Sequence, residues 1–131
     1  MFTYATVNTS ANNKKIPEKL RVAVEYIHEN LDKVPSIEEM SQLTGLSPSY
    51  FSRTFRKAMD ENFVSYVNRI KVEKAVEMLK TGNKSINVIA EMLGYTDASY
   101  FIKVFKRYTG TTPLAYRRRG SKFDRFHDIV I

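Results

Sequence analysis

The chain reads SINVIAEMLGYTDASYFIKVFKRYTGTTPLAY at residues 85–116, and this stretch decides the fold because an imperfect copy of it lies upstream. The copy, at residues 36–66, reads SIEEMSQLTGLSPSYFSRTFRKAMDENFVSY. The first parts of the copies align 49 positions apart, as Gly45 and Gly94 show, and the later parts align 50 positions apart. A turn or a helix start absorbs such a one-residue gain without moving the core faces beside it. Two copies are too few for a solenoid, so we predict a duplicated small unit.

The length of 131 residues allows one domain, or two very small lobes that share a helix. With 43% hydrophobic residues the chain can bury a core, and the absence of cysteine excludes disulfides and thiolate metal sites. The first residues lack a basic start followed by an apolar run, and no apolar stretch is long enough to span a bilayer. We therefore expect a cytoplasmic protein without membrane contact.

Lysine and arginine outnumber aspartate and glutamate by 21 to 14, which gives a net charge of +7 and a pI near 9.6. Such a chain suits a polyanionic partner, but a well-solvated basic surface explains the same excess. The positions of the charges must therefore decide between these two interpretations.

The first helix is predicted to begin at Pro17, which suits a first helical turn, and to end at Pro35. Apolar residues recur at helical spacing between these prolines. Residues 1–15 precede the helix without apolar periodicity, and we interpret them as a flexible arm or linker. His28 has no second histidine or cysteine at ligand spacing, which favours an ordinary helical histidine over a metal ligand.

The first repeat unit, residues 36–60, has the signals of two short helices joined by a turn. An S-x-x-E capping box at Ser36 starts a helix whose apolar residues, through Leu43, face inward. Gly45 supplies the positive φ that ends this helix, and Ser47 followed by proline caps the next one. Two short helices with a tight glycine turn make a helix-turn-helix.

A longer helical pattern follows at residues 62–81, and its apolar stripe shifts partway along from one face to another. Such a helix can serve two cores, one at each end, so we interpret it as a connector. The second helix-turn-helix follows at residues 85–109, and a last short helix reaches Tyr116. The tail at residues 120–131 has no clear period and stays unassigned. The sequence thus predicts an all-α fold in two lobes.

The outward face of the second helix in each unit carries small hydroxyl residues near its start and cations about a turn later. These faces comprise Ser49, Ser52, Arg53 and Arg56 in the first unit and Ser99, Ile102, Lys103 and Lys106 in the second. Small residues let a helix approach the major groove, cations reach guanine edges or phosphates, and an isoleucine can touch a thymine methyl. A single such face is usually only the solvated side of an amphipathic helix, but two equivalent faces favour a DNA reader.

A second group of polar and cationic residues is better placed to contact phosphates than bases. It comprises Ser47, Arg56, Lys57, Thr96, Lys106, Arg107 and Arg117, the last at the start of an arginine run. Phosphate contacts carry no sequence information directly, so we expect this group to supply affinity and position.

Several short motifs connect the second unit with a known family. They are Ile89-Ala90, Gly94-Tyr95, Ser99-Tyr100-Phe101, Phe105-Lys106-Arg107, Gly110, Thr112-Pro113 and Tyr116-Arg117. In these motifs, taken with the upstream copy, the chain resembles the DNA-binding domain of the AraC/XylS family of bacterial transcription regulators. The resemblance covers roughly residues 16–119.

The resemblance implies a seven-helix, two-lobed domain whose connector helix joins two helix-turn-helix units, each with its second helix in the major groove of double-stranded DNA. It also implies that the base-facing positions are Ser49, Ser52, Arg53, Ser99, Ile102 and Lys103. The second unit departs from strong base readers, because no arginine, glutamine or asparagine faces outward there. Arg53 in the first unit is therefore expected to carry more of the discrimination.

Two such helices are expected in successive major grooves, about 34 Å apart, on an asymmetric site that one copy of the domain can fill. RNA polymerase is a further candidate partner, and a preceding domain outside this sequence would allow dimerisation. The sequence leaves open the operator, the direction of regulation, and whether a sensor domain precedes the chain.

Two alternatives compete with DNA binding. An enzyme is disfavoured because the chain has no P-loop, G-x-S-x-G or H-E-x-x-H motif, and its only histidines are His28 and His127. We therefore expect no catalytic residues, no cofactor and no metal site. A protein-interaction module, whose basic helices dock an acidic partner, stays open until salt titrations with duplex DNA separate it from a DNA reader.

Overall fold

The computed structural model describes residues 16–119, and within them the chain forms seven α-helices and no β-strand. In chain order the helices are α1 (Glu18–Glu29), α2 (Ile37–Thr44), α3 (Pro48–Met59), α4 (Phe63–Thr81), α5 (Ile86–Met92), α6 (Ala98–Thr109) and α7 (Pro113–Arg119). The predicted all-α class with seven helices is confirmed. The predicted arm at residues 1–15 and the predicted tail at residues 120–131 lie outside the described residues.

The chain divides between Val67 and Asn68 into two compact units, which we call unit 1 and unit 2. The boundary falls inside α4, so this helix contributes residues to both units. Before the boundary α4 buries Phe63, and after it α4 buries Ala75 and residues near it on another face. The shift of apolar stripe along the connector therefore coincides with the change from one core to the other.

Unit 1 is built around an aromatic cluster. Phe55 lies at its centre, with its ring centroid 5.6 Å from that of Phe51, 5.5 Å from Phe63 and 5.4 Å from Tyr66. None of these four side chains is more than 3% exposed. The hydroxyl of Tyr66 lies 2.9 Å from Nε2 of His28, which gives the buried phenol a polar partner.

Unit 2 repeats this core with the equivalent residues of the second copy. The ring centroid of Phe105 lies 5.9 Å from that of Phe101 and 5.7 Å from that of Tyr116. Tyr95 packs on the same cluster, with its centroid 5.3 Å from Phe101. Since equivalent phenylalanines occupy both cores, the duplication in the sequence is also a duplication of packing.

Helix α1 is shorter than the sequence predicts. Pro17 lies just outside it, at the N-cap position. At the other end Asn30 leaves helical geometry, and its side-chain amide donates to the carbonyl of Tyr26 at 3.0 Å. This bond satisfies one of the last helical carbonyls and accompanies the end of the helix at Glu29, before Pro35 is reached.

The inward face of α2 also differs from the prediction in its last turn. Leu43, predicted to face the core, is 43% exposed, and Thr44 is buried instead. Thr44 tolerates burial because its hydroxyl donates to the carbonyl of Met40 at 2.8 Å and accepts from the amide of Leu46 at 3.3 Å. The helix therefore ends on a polar residue that serves the following turn.

Helix α6 ends at Gly110, whose φ of +85° is left-handed and whose added Cβ would meet nothing within 4 Å. Replacing Gly110 by alanine is expected to lower the free energy of unfolding by about 1 kcal/mol through backbone strain alone. Gly82 has no such φ and only ordinary contact with the carbonyl oxygen of Met78 at 3.8 Å, so Gly82→Ala should be neutral or slightly stabilising. Urea denaturation measures both variants, and equal losses would contradict the strain explanation.

Candidate nucleic-acid interface

The first helix of each unit begins at a capping serine. The capping box predicted at Ser36 is confirmed, because its hydroxyl accepts from the amide of Glu39 and the carboxylate of Glu39 accepts from the amide of Ser36, both at 3.0 Å. Ser85 caps α5 in the same way and accepts from the amide of Val88 at 3.1 Å. Valine cannot return a bond, so unit 2 has only half of the box.

The turn of unit 1 is short and leads directly into α3. Gly45 has φ +77°, and its amide donates to the carbonyl of Ser41 at 2.9 Å. Ser47 then caps α3 by accepting from the amide of Tyr50 at 3.2 Å, and Pro48 takes the first helical position. Glycine, capping serine and proline thus fix the start of α3 by local bonds and sterics.

The turn of unit 2 closes α5 with a different bond pattern. Leu93 ends the helix, and Gly94 follows with φ +85°. The amide of Gly94 donates to the carbonyl of Glu91, and the amide of Tyr95 donates to the carbonyl of Ala90, each at 3.0 Å. These two bonds make a Schellman motif, which satisfies carbonyls at the end of α5.

The cap of α6 shows where the one-residue gain lies. Asp97 caps α6 by accepting from the amide of Ser99 at 2.9 Å, so Asp97 is the counterpart of Ser47. Alignment at 49 positions pairs Ser47 with Thr96 instead, but Thr96 lies exposed in the turn between Gly94 and the cap. The gained residue therefore lengthens the turn, while α3 and α6 both keep 12 residues.

The predicted base-facing residues of unit 1 lie together along one side of α3. Ser49 and Arg53 are exposed and Ser52 is partly exposed, whereas Phe51 and Phe55 on the opposite side are buried. Helical spacing alone places these two sets on opposite sides. The outward side is therefore free to meet a large polar surface.

Unit 2 presents the equivalent residues on α6. Ser99 and Lys103 are exposed and Ile102 is partly exposed, while Phe101 and Phe105 are buried. Within residues 16–119, Lys103 has no carboxylate partner. The two outward sides are thus equivalent in position and sign of charge, although α6 offers a lysine where α3 offers an arginine.

A shallow, open depression borders the outward side of α3. It has a volume of about 320 Å³, and its lining comprises Ile37, Ser52, Arg53, Arg56, Asn62, Phe63 and Val64. Neither Arg53 nor Arg56 forms an ion pair with another described residue. Two unpaired guanidinium groups at one rim favour an anionic neighbour such as a phosphate group.

Two exposed tyrosines on these helices are not marked by the hydrophobic periodicity. Tyr50 is 50% exposed and Tyr100 is 46% exposed, at equivalent positions of α3 and α6. The guanidinium carbon of Arg53 lies 5.7 Å from the ring centroid of Tyr50, within the range of a cation–π contact. The alignment of the two copies contains the signal for this pair, since both place a large aromatic residue on a polar side.

The predicted phosphate contacts lie mainly at the ends of the same two helices. Arg56 and Lys57 are exposed in the last turn of α3, and Lys106 and Arg107 are exposed in the last turn of α6. Cations at helix C-termini also interact favourably with the helix dipole, so their placement has a structural benefit as well.

Arg117 is less available than the sequence predicts. Its Nη1 donates to the carbonyl of Lys84 at 2.6 Å, just before the cap of α5. Its Nε and Nη2 are enclosed and have no hydrogen-bond partner among the described residues. Arg118 and Arg119 are more exposed. The arginine run therefore contains one guanidinium that is bonded to the chain before α5.

A buried polar cluster in unit 2 is the largest feature that the sequence patterns do not reveal. Lys71 on α4 is 3% exposed, and its Nζ donates to the carbonyl of Leu93 at 2.5 Å. The hydroxyl of Tyr95 donates to Oδ1 of Asn68 at 2.7 Å. Burial raises the pKa of the Tyr95 hydroxyl above its ordinary value.

Two helix-turn-helix units, each with a polar and cationic side on its second helix, define a helix-turn-helix DNA-binding domain. A family model described as a helix-turn-helix domain matches residues 40–119. The chain belongs to the AraC/XylS family of transcription regulators.

Relatives in several bacteria are similar over most of the chain. The bifunctional transcriptional activator/DNA repair enzyme AdaA of Bacillus subtilis is 33% identical over 117 residues, which cover 88% of this chain and 56% of AdaA. The raffinose operon transcriptional regulatory protein RafR of Pediococcus pentosaceus is 34% identical over 104 residues, which cover 79% of this chain and 38% of RafR. The chain thus spans little more than half, or less, of the length of these relatives.

Solved structures share the fold. The C-terminal domain of AraT, a response regulator from Geobacillus stearothermophilus, has a TM-score of 0.76 and 30% identity, covering 79% of this chain and 87% of that one. The DNA-binding domain of AdpA, solved in complex with a target DNA, has a TM-score of 0.71 at 23% identity, with 76% and 89% covered. None of the helices in the described part of the chain is long and apolar enough to cross a membrane.

Proposed function

We propose that α3 and α6 act as two recognition helices, which enter successive major grooves of one DNA duplex about 34 Å apart. The observation that carries this proposal is the equivalence of their outward sides. Each helix has 12 residues, starts at a capped turn, and exposes a serine near its start followed by a cation one turn later. The two sides differ in sequence, so the DNA site is asymmetric and one copy of the domain fills it.

The base readers in this proposal divide by chemistry. They are Ser49, Ser52 and Arg53 on α3 and Ser99, Ile102 and Lys103 on α6. An arginine can bond a guanine edge through two donors at once, whereas a lysine offers only a point charge. A partly exposed isoleucine suits a thymine methyl. Unit 1 therefore contributes more discrimination than unit 2.

The phosphate contacts in this proposal flank the readers. They are Ser47, Arg56 and Lys57 in unit 1 and Thr96, Lys106, Arg107 and Arg117 in unit 2. The four exposed cations among them contribute most, because each releases condensed counterions when it meets a phosphate. Arg117 reaches DNA only if its guanidinium leaves the carbonyl of Lys84.

Selection of bound duplexes from a random pool tests the proposal directly. The selected site should span two half-sites about one helical turn apart, and it should survive an excess of random competitor DNA at physiological salt. The proposal of sequence-specific recognition is wrong if selected and random duplexes bind equally, because phosphate contacts alone would then explain the affinity.

Replacing Arg53 by alanine is expected to cost about 1–3 kcal/mol of binding free energy and to relax the preference at one base position. Lys106→Ala should weaken selected and random duplexes to a similar extent, because a phosphate contact is shared by all sequences. Fluorescence anisotropy with the selected duplex and single-position variants measures both effects. If both changes cause equal losses of binding free energy that do not depend on sequence, Arg53 is not a base reader.

The chain is proposed to act without catalysis of its own. The helix-turn-helix match covers most of the described residues, and a DNA reader needs no reacting group. AdaA is named as both an activator and a repair enzyme, but this chain matches only 56% of it. Contact with RNA polymerase is a further proposal, which a pull-down with purified polymerase tests. Dimerisation through a preceding domain is another, which sedimentation of the longer protein tests.

A further inference from the structure

Lys71 occupies an unusual place for a lysine. It lies on α4 between Ile70 and Val72, all three are at most 4% exposed, and its Nζ donates to the carbonyl of Leu93. Leu93 is the C-cap of α5, where the helix dipole leaves partial negative charge. An apolar side chain would fill this space without desolvating a charge. The buried lysine thus has a specific partner, the carbonyl of Leu93 at the end of α5.

A second bond from α4 reaches the same turn. Asn68, one helical turn before Lys71, accepts from the hydroxyl of Tyr95 at 2.7 Å, and Nζ of Lys71 lies 5.4 Å from the ring centroid of Tyr95. Two residues of α4 thus hold Leu93 and Tyr95, on either side of Gly94. We call Asn68 and Lys71 the turn latch of unit 2.

In unit 1, the side-chain hydrogen bonds of the equivalent turn found among the described residues come from α2 itself. The hydroxyl of Ser41 donates to the carbonyl of Leu46, and the hydroxyl of Thr44 accepts from the amide of Leu46. Both hydroxyls belong to α2, the helix that the turn ends. The two copies therefore share a fold but differ in what fixes the turn: local hydroxyls in unit 1, and side chains of α4 in unit 2.

The held turn lies immediately before the recognition helix. Tyr95 precedes the cap of α6 by two residues, so any tilt at the turn is passed on to the whole helix. Lys103 lies six residues after the cap Asp97, about 9 Å along α6 at 1.5 Å per residue, so a tilt of about 10° would displace it by about 1.6 Å. That displacement is enough to break a hydrogen bond to a base edge.

We propose that Lys71 is a positioning residue for DNA reading, which sets the direction of α6 through the turn and does not touch DNA itself. This inference rests on the proposed role of α6 as a recognition helix. It assigns to the connector helix a part in the specificity of unit 2 through the turn before α6.

Hydrogen exchange of the full chain tests the structural half of the proposal. In Lys71→Met the amides of Gly94 and Tyr95, which bond to carbonyls of α5, should exchange about tenfold faster or more, while the amide of Gly45 should not change. Ser41→Ala should give the reverse pattern. Uniform acceleration at all three amides, or none, would overturn the latch.

Double-mutant binding cycles test the functional half. If Lys71 acts through α6, the losses of binding free energy from Lys71→Met and Lys103→Ala should not add. The double variant should then bind the selected duplex within about twofold of the single variant that binds more weakly. The affinity losses from Lys71→Met and Arg53→Ala should multiply, because the two residues serve different half-sites. Multiplication in the first cycle would show that Lys71 does not act through α6.

Milder changes keep the test valid if Lys71→Met folds poorly. Tyr95→Phe removes only the hydrogen bond to Asn68. It should lower the binding affinity less than Lys71→Met does, and it should affect only the preference for bases in the half-site that unit 2 contacts. Lys71→Arg keeps the cation and should recover most of the affinity. An unaltered chain that fails to prefer the selected duplex defeats the proposed function, whereas a specific chain with additive cycles defeats only the latch.

Discussion

Raising the salt concentration from 50 to 200 mM is expected to weaken binding of the selected duplex about a hundredfold. The four exposed cations proposed at phosphates are Arg56, Lys57, Lys106 and Arg107. Each phosphate neutralised contributes about 0.9 to the slope of log K against log salt, so the slope should lie near −3.6. Anisotropy titrations at several salt concentrations measure it.

Matched variants show which charges carry this slope. Lys106→Gln should flatten the slope by about 0.9, because one phosphate contact is lost. Lys19→Gln removes the same charge from α1, outside the proposed interface, and should leave the slope unchanged. A slope near zero, or equal effects of both changes, would favour docking to a protein or diffuse attraction over the proposed contacts.

Replacing Phe55 by alanine is expected to lower the free energy of unfolding of unit 1 by about 3–5 kcal/mol. Phe55 is fully buried, and its ring packs within 5.6 Å, centroid to centroid, of three other aromatic rings. Truncation removes the apolar contacts and leaves a cavity that these rigid rings fill only in part. Urea denaturation followed by circular dichroism, with hydrogen exchange to locate the loss, measures the effect.

The equivalent residue of the second copy gives the control. Phe105→Ala should produce a loss of similar size that appears first in the exchange of unit 2 amides, since Phe105 packs on Phe101 and Tyr116. Phe55→Leu, which keeps most of the volume, should cost under about 1.5 kcal/mol. A loss below about 1 kcal/mol for Phe55→Ala would mean that the cluster is not the centre of the core.

Local signals in the sequence account for most of the framework. The repeat locates both units, the glycines at positions 45 and 94 mark the turns, and the capping serine at position 36 behaves as its neighbours predict. These features depend on residues within a few positions of one another. Short-range rules of φ, capping and periodicity therefore suffice for them.

Features that depend on side-chain bonds to the backbone are not predictable in the same way. Asn30 ends α1 well before the proline, and Thr44 displaces Leu43 from the core, because each satisfies a carbonyl that periodicity does not consider. Arg117 and Lys71 bond carbonyls far away in the sequence. In the candidate interface, the sequence therefore predicts which residues face outward, but not which cations are already engaged.

The passage of α4 through the boundary at Val67 has a consequence for how the protein folds. Cut at that boundary, unit 1 would keep only Phe63 to Val67 of this helix, barely more than one turn. So short a segment does not hold a helix in water, and Phe63 and Tyr66 would leave the aromatic cluster. The second half of α4 is thus expected to stabilise the first half as a helix. Unfolding of unit 2 should therefore lower the stability of unit 1.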